Sequence, residues 1–151
     1  MRIVVQRVTS ASVEVSGGPV GAIARGFLLL VGVESSDTEA EVEAAARKVV
    51  GLRVFADTEG HMNLSLADID GSVLVVSQFT LLGDTRRGRR PSFTGAAGSD
   101  LAEPLIDRFV EPIGAEGIPV ETGEFGAMMQ VSLVNDGPVT ILLEVRDGKV
   151  L

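Results

Sequence analysis

The chain has 151 residues with no cysteine, one histidine and a formal net charge of −8, and 45% of its residues are apolar. The missing thiols exclude disulfides, cysteine nucleophiles and cysteine-ligated zinc, and the single imidazole, His61, excludes a histidine-rich metal site and leaves a serine triad only one candidate base. The acidic balance argues against broad, non-specific binding to nucleic acid. No apolar run approaches the roughly 18–20 residues that span a bilayer, and the N-terminus lacks the apolar core of a signal peptide, so a soluble, cytoplasmic protein with no membrane partner is expected.

In chain order, residues 2–8 (RIVVQRV) and 11–15 (ASVEV) read as two strands separated by Thr9 and Ser10. Residues 17–23 offer a turn and a short strand, and 26–33 (GFLLLVGV) a buried strand bounded by glycine. Ser36 followed by Glu39 predicts a capping box, after which Val42, Ala45, Ala46, Val49 and Val50 recur at helical spacing until Gly51. Residues 52–56 read as a strand, 57–60 as a turn, and 71–82 as a buried strand that turns polar at Ser77 and Gln78. The patternless stretch 83–99 is long enough to suggest a functional loop. A second helix is expected near 101–114, with Leu101, Leu105, Ile106, Phe109 and Val110 on one face and Pro104 confined to the first turn. The last third reads as a β-hairpin whose turn, Asn135-Asp136-Gly137-Pro138, is unusual because Pro138 sits where a strand needs an N–H. The order predicts a single α+β domain over residues 1–151, with a curved, mainly antiparallel sheet or barrel and two helices packed outside.

Three stretches could carry chemistry. At Ser77-Gln78-Phe79-Thr80 a buried strand runs out, offering hydroxyls, an amide and free backbone N–H groups. A hydroxyl nucleophile needs a base, and His61 lies in a turn sequence, so backbone donors stabilising an oxyanion suit this chain better than covalent catalysis. Residues 84–93 hold Arg86, Arg87, Arg89 and Arg90 against one aspartate, a formal +3 that leaves −11 for the rest of the chain. Such a patch on an acidic body fits either a solvated loop or a defined contact with phosphate. Phe93, at its end, either packs the loop on the body or stacks on a base. Gly137-Pro138 reads as an irregular turn or as a rigid tip with uncovered carbonyls aimed at a ligand or another subunit.

The motifs Ser77-Gln78-Phe79-Thr80 and Asn135-Asp136-Gly137-Pro138-Val139-Thr140, in that order, resemble those of the D-aminoacyl-tRNA deacylases. Residues 6–8, 62–64, 72–81, 90–93 and 129–140 also look like family segments, so the resemblance spans essentially the whole chain. It implies an enzyme that hydrolyses the ester joining a D-amino acid, or glycine mischarged on alanine tRNA, to the terminal adenosine of tRNA. It also implies a homodimer with its sites at the subunit interface, and needs neither metal nor cofactor. The Ser77–Thr80 segment would hold the ester, with the Phe79 and Thr80 amides as oxyanion hole and the adenosine 2′-hydroxyl assisting; Thr80 as nucleophile is the lesser reading. Gly137-Pro138, in cis, would reach into the partner's site and refuse an L side chain by clash. By the same resemblance Phe125 and Met129 would wall the adenosine pocket, Arg7 would brace the Gly-Pro loop, and Arg86, Arg87, Arg89 and Arg90 would meet tRNA phosphates. Glu124 stands where relatives carry basic residues. Ser77, Phe79 and Val139 favour the D-specific type over a sister deacylase directed at L-alanine. A non-catalytic tRNA-end module and a dimerisation domain are the competing readings.

Overall fold

The computed structural model describes residues 1–151. Its framework is one twisted sheet on which two helices pack. The strands are β1 (Arg2–Val15), β2 (Gly18–Ile23), β3 (Gly26–Gly32), β4 (Phe55–Ala56), β5 (Met62–Leu64), β6 (Ser72–Ser77), β7 (Val120–Thr122), β8 (Met129–Arg146) and β9 (Lys149–Val150); the helices are α1 (Glu39–Gly51) and α2 (Ser99–Ala115). The main sheet runs β7-β6-β3-β1-β8-β9, and β2 pairs with β1 off this path, while β4 and β5 form a separate ribbon. Pairing is mostly antiparallel, but β3–β6 and β6–β7 are parallel. The sheet curls so far that β2 comes back against β6 and β7: a Cβ on Gly21 would lie 2.9 Å from the Thr122 carbonyl.

Both faces of β3 and β6 are covered, which explains their continuous apolar runs. Phe27, Leu29, Val31, Val73 and Val75 join α1 and α2 in the larger core. Leu28, Leu74 and Val76 point the other way, into a smaller core inside the curl with Val8, Ala11 and Val13. Each fully buried Leu, Val or Phe stabilises the fold by about 1.5–3 kcal/mol.

The first two predicted strands are one strand. Ile3 and Val5 face the larger core, and Val8, Ala11 and Val13 face the smaller. Thr9 and Ser10 are no break; the register against β8 shifts between Val8 and Ser10. Such a bulge inserts one residue and lets Val8 and Ala11, three apart, share a face.

The hairpin expected at residues 132–143 does not exist. Both of its arms pair antiparallel with β1, Asn135 opposite Val8 and Thr140 opposite Gln6, so the chain keeps its direction. Asp136, Gly137, Pro138 and Val139 are an excursion inside one 18-residue strand, opposite only Arg7. The Gly137–Pro138 peptide is cis.

The α1 capping box lies two residues beyond the expected Ser36 and Glu39, at Thr38 and Glu41. Asp37 is occupied elsewhere, accepting from the Glu34 N–H at 2.7 Å. Burial pushes the Glu41 carboxyl up, yet its bonds from the Thr38 hydroxyl, the Gly148 N–H and the Thr38 N–H win, and hold it down at about 2. The expected helix faces hold: Val42, Ala45, Ala46 and Val49 of α1 and Leu105, Ile106 and Phe109 of α2 are buried. Pro104 sits beyond the first turn of α2, whose start at Ser99 precedes the expected one. Only Phe55 and Ala56 of the strand expected at 52–56 are extended in a ladder. No helix is long and apolar enough to cross a membrane.

Candidate active site

The site grows from the carboxyl ends of the parallel strands β3 and β6. Their ladder closes with Val31 opposite Ser77, and the Gln78 N–H donates to the Val31 carbonyl at 2.8 Å. The chain then winds into a single turn of 3₁₀ helix, Phe79–Leu82. This turn lies directly on Gly32: a Cβ there would stand 3.0 Å from the Gln78 carbonyl oxygen and 3.1 Å from Leu81 Cβ. The first amides of a helical turn have no partner within it. Those of Phe79 and Thr80 find no acceptor elsewhere in the chain either.

Phe79 and Thr80 line a cavity of about 610 Å³. Ser77, Gln78, Phe79 and Thr80 form one wall, Phe125 and Met128 of the β7–β8 connection with Met129 at the start of β8 another, and Ala97 before α2 with Ala102 and Ile106 in it a third. Twelve of its 17 lining residues are apolar, which suits a ligand with a substantial apolar surface. The Gln78 carboxamide donates to the Thr80 hydroxyl at 2.5 Å. His61 lies outside the lining, exposed on the β4–β5 turn with its Nδ1 3.6 Å from Glu59. No imidazole or carboxylate therefore lines the cavity as a base.

The Asp136–Val139 excursion does not line this cavity. Gly137 and Pro138 are exposed, whereas Val139 is buried in the larger core and anchors the excursion's far foot. Arg7 grips it from below, donating from Nε to the Asp136 carbonyl at 2.9 Å and from Nη1 to the Val54 carbonyl at 2.5 Å, with the Asp136 carboxylate 3.3 Å away.

The sequence profile of the D-Tyr-tRNA(Tyr) deacylase family matches residues 4–144. A D-aminoacyl-tRNA deacylase of Desulfatibacillum aliphaticivorans is 60% identical over 146 residues, covering 97% of this chain and all of that one. The chain belongs to the D-Tyr-tRNA(Tyr) deacylase family. Among solved structures, one described as a c-Myc DNA unwinding element binding protein superposes with a TM-score of 0.90 at 44% identity, covering 97% of this chain and 99% of that one. A second, described as a probable eukaryotic D-amino acid tRNA deacylase, shares the fold with a TM-score of 0.80 at 20% identity, over 93% and 97% of the two chains.

Within this deacylase fold the arginine loop is less uniform than its sequence suggests. Arg86 is exposed and pairs at the surface with Asp84, with Nε to Oδ1 at 2.9 Å and Nη2 to Oδ2 at 2.6 Å. These bonds hold the Asp84 carboxyl well below the usual carboxylate range. A reciprocal pair of backbone bonds between Asp84 and Ser92 closes the loop at 2.7 and 2.9 Å. Arg87, Arg89 and Arg90 are exposed and form no salt bridge, so Arg86 alone of the four has an ion-pair partner. Phe93 packs on the body: its ring meets Phe79 edge-on with centroids 5.2 Å apart. The loop is thereby seated against the Phe79 side chain.

Residues that sequence reasoning missed serve as spacers. Gly32 admits the 3₁₀ turn, and Gly123 leaves room for the Met129 sulfur, 2.7 Å from where a Cβ would stand. A glycine inside an apolar strand signals such close approach, and Gly32 in LLLVGVE carries that signal.

Proposed function

We propose that this chain hydrolyses the ester between a D-amino acid and the terminal adenosine of tRNA, and removes glycine mischarged on alanine tRNA in the same way. The observation that carries the reading is the pair of unpartnered amides, Phe79 and Thr80, on the wall of an apolar cavity with no side-chain base. The amides suit the carbonyl oxygen, whose negative charge grows as water attacks the carbonyl carbon. The ester C–O bond then breaks, and the 3′-oxygen leaves with a proton. Thr80 already accepts from Gln78 and has no base beside it, which favours assistance from the substrate's own 2′-hydroxyl over a threonine nucleophile. Phe125 and Met129 are suited to hold the adenine, and Arg87, Arg89 and Arg90 to meet tRNA phosphates.

In this reading the Gly137–Pro138 excursion completes the cavity of a second copy of the chain. Two observations support it. The excursion is exposed and does not line its own protomer's cavity. Leu133, Val134 and Leu142 of β8 are also uncovered, Leu142 to 73%, as an interface strand would leave them. Glycine leaves the carbonyls bare, and their approach to the substrate Cα would leave room for a hydrogen but none for an L side chain.

Incubation with D-tyrosyl-tRNA tests the activity. Release of D-tyrosine in many turnovers is expected. Tight binding with the ester intact would overturn the proposal and leave a nucleic-acid-binding module.

A further inference from the structure

We propose that Gln6 is a positioning residue for chiral selection, acting as a clamp across the two feet of the Asp136–Val139 excursion. This rests on the reading of that excursion as the filter. In the ladder Gln6 lies opposite Thr140, the first paired residue after the excursion, while Asn135 is the last paired residue before it. The Thr140 hydroxyl donates to Gln6 Oε1 at 2.9 Å. Gln6 Nε2 donates to the Asn135 carboxamide oxygen. Both ends of one side chain are thus engaged, one on each foot. A carboxamide of this length can accept at one end and donate at the other, and no apolar side chain of the same shape can do either.

The geometry makes the clamp specific to the excursion. Successive side chains of a strand point to opposite faces. Arg7 therefore holds the Asp136 carbonyl from one side while Gln6 ties the feet together from the other. The Asn135 carboxamide that Gln6 holds lies where a Cβ on Gly137 would be, so its position also bears on the backbone at the tip. Neither Gln6 nor Thr140 lines the cavity. Loosening the clamp should therefore leave the chemistry intact and blur the refusal of L substrates.

The test measures kcat/KM on D- and L-tyrosyl-tRNA for Gln6→Met, Thr140→Val and the double variant, with Pro138→Ala as a direct lesion of the tip. Gln6→Met keeps the length and removes both bonds; Thr140→Val breaks one bond from the other strand if the first variant folds poorly. Losing hydrogen bonds worth about 1–1.5 kcal/mol should raise the L rate about tenfold with the D rate within about threefold. The double variant should lose little more selectivity than Gln6→Met alone, because Gln6→Met already removes the one bond that Thr140→Val breaks. A merely structural role would lower the D and L rates together and leave their ratio unchanged. An unchanged ratio in Gln6→Met and Thr140→Val, with Pro138→Ala losing selectivity, would overturn the clamp while sparing the filter. A ratio that Pro138→Ala also leaves unchanged would overturn both.

Discussion

Replacing Phe79 with proline should lower kcat on D-aminoacyl-tRNA by about 10²–10³-fold, the usual cost of removing one oxyanion donor. The substitution is a clean deletion of an N–H. Phe79 is the first residue of its 3₁₀ turn, the position at which proline's fixed φ is already suitable and its missing donor harms no helical bond. Gln78, before it, is non-helical at φ −146° and ψ 75°, so the restriction that proline places on its predecessor is tolerable. Phe79→Ala is the control. It keeps the amide and removes the ring, which is 58% exposed and rests on Phe93. Steady-state kinetics should show a kcat collapse in the proline variant, with KM little moved, and only a small loss in the alanine variant. Equal losses in both would assign the effect to the ring and take the Phe79 amide out of the reaction.

Pro138→Ala should act in the opposite sense, on selectivity and not on rate. Proline fixes φ, restricts Gly137 before it and offers no N–H for a strand to capture. Alanine removes all three constraints at an exposed tip held only by its feet, by Arg7 and by Val139. Hydrolysis of L-tyrosyl-tRNA should rise about 10–100-fold, the range that a steric fit of one or two carbons commands, with the D rate nearly retained. Single-turnover rates on the two substrates check it. A lost D rate with L still refused would make the tip part of the catalytic machinery.

How much of this was legible in the sequence depended on how local each signal was. The helical faces of Val42, Ala45, Ala46 and Val49 and of Leu105, Ile106 and Phe109 were legible because a 3.6-residue period needs no information from elsewhere in the chain. The run at 26–33 was legible as a buried strand because it is short, continuously apolar and bounded by glycine, again a local signal. The cap at Thr38 was missed because Ser36-x-x-Glu39 and Thr38-x-x-Glu41 both fit the motif, and Glu41 is singled out by its further bond from the distant Gly148 N–H. The supposed hairpin failed for a deeper reason. Asn-Asp-Gly-Pro encodes a departure from a strand, but whether the chain returns or continues is decided by what lies opposite, here the 14-residue β1.

The site divides along the same line. Residues alone marked Ser77–Thr80 as a polar strand end, and the motif pair tied it to a family that the profile over residues 4–144 supports. The meeting of Ser77–Thr80 with Phe125 and Met129 in one cavity depends on the β7–β8 connection, which carries no periodic signal. Arg7 was expected as a brace for the Gly-Pro loop, and it does hold Asp136. Gln6, its neighbour, went unnoticed because a strand glutamine looks like surface until its two partners, both more than 125 residues away, come into view.

In the proposed function one cavity is able to hydrolyse esters of either hand, and handedness is imposed by refusal of the L side chain. Hydrolysis of D- and L-tyrosyl-tRNA by the unmodified protein, followed side by side under single-turnover conditions, tests it most directly. Rapid loss of the D ester with the L ester spared is the predicted result. Rapid loss of the L ester with the D ester spared would contradict it.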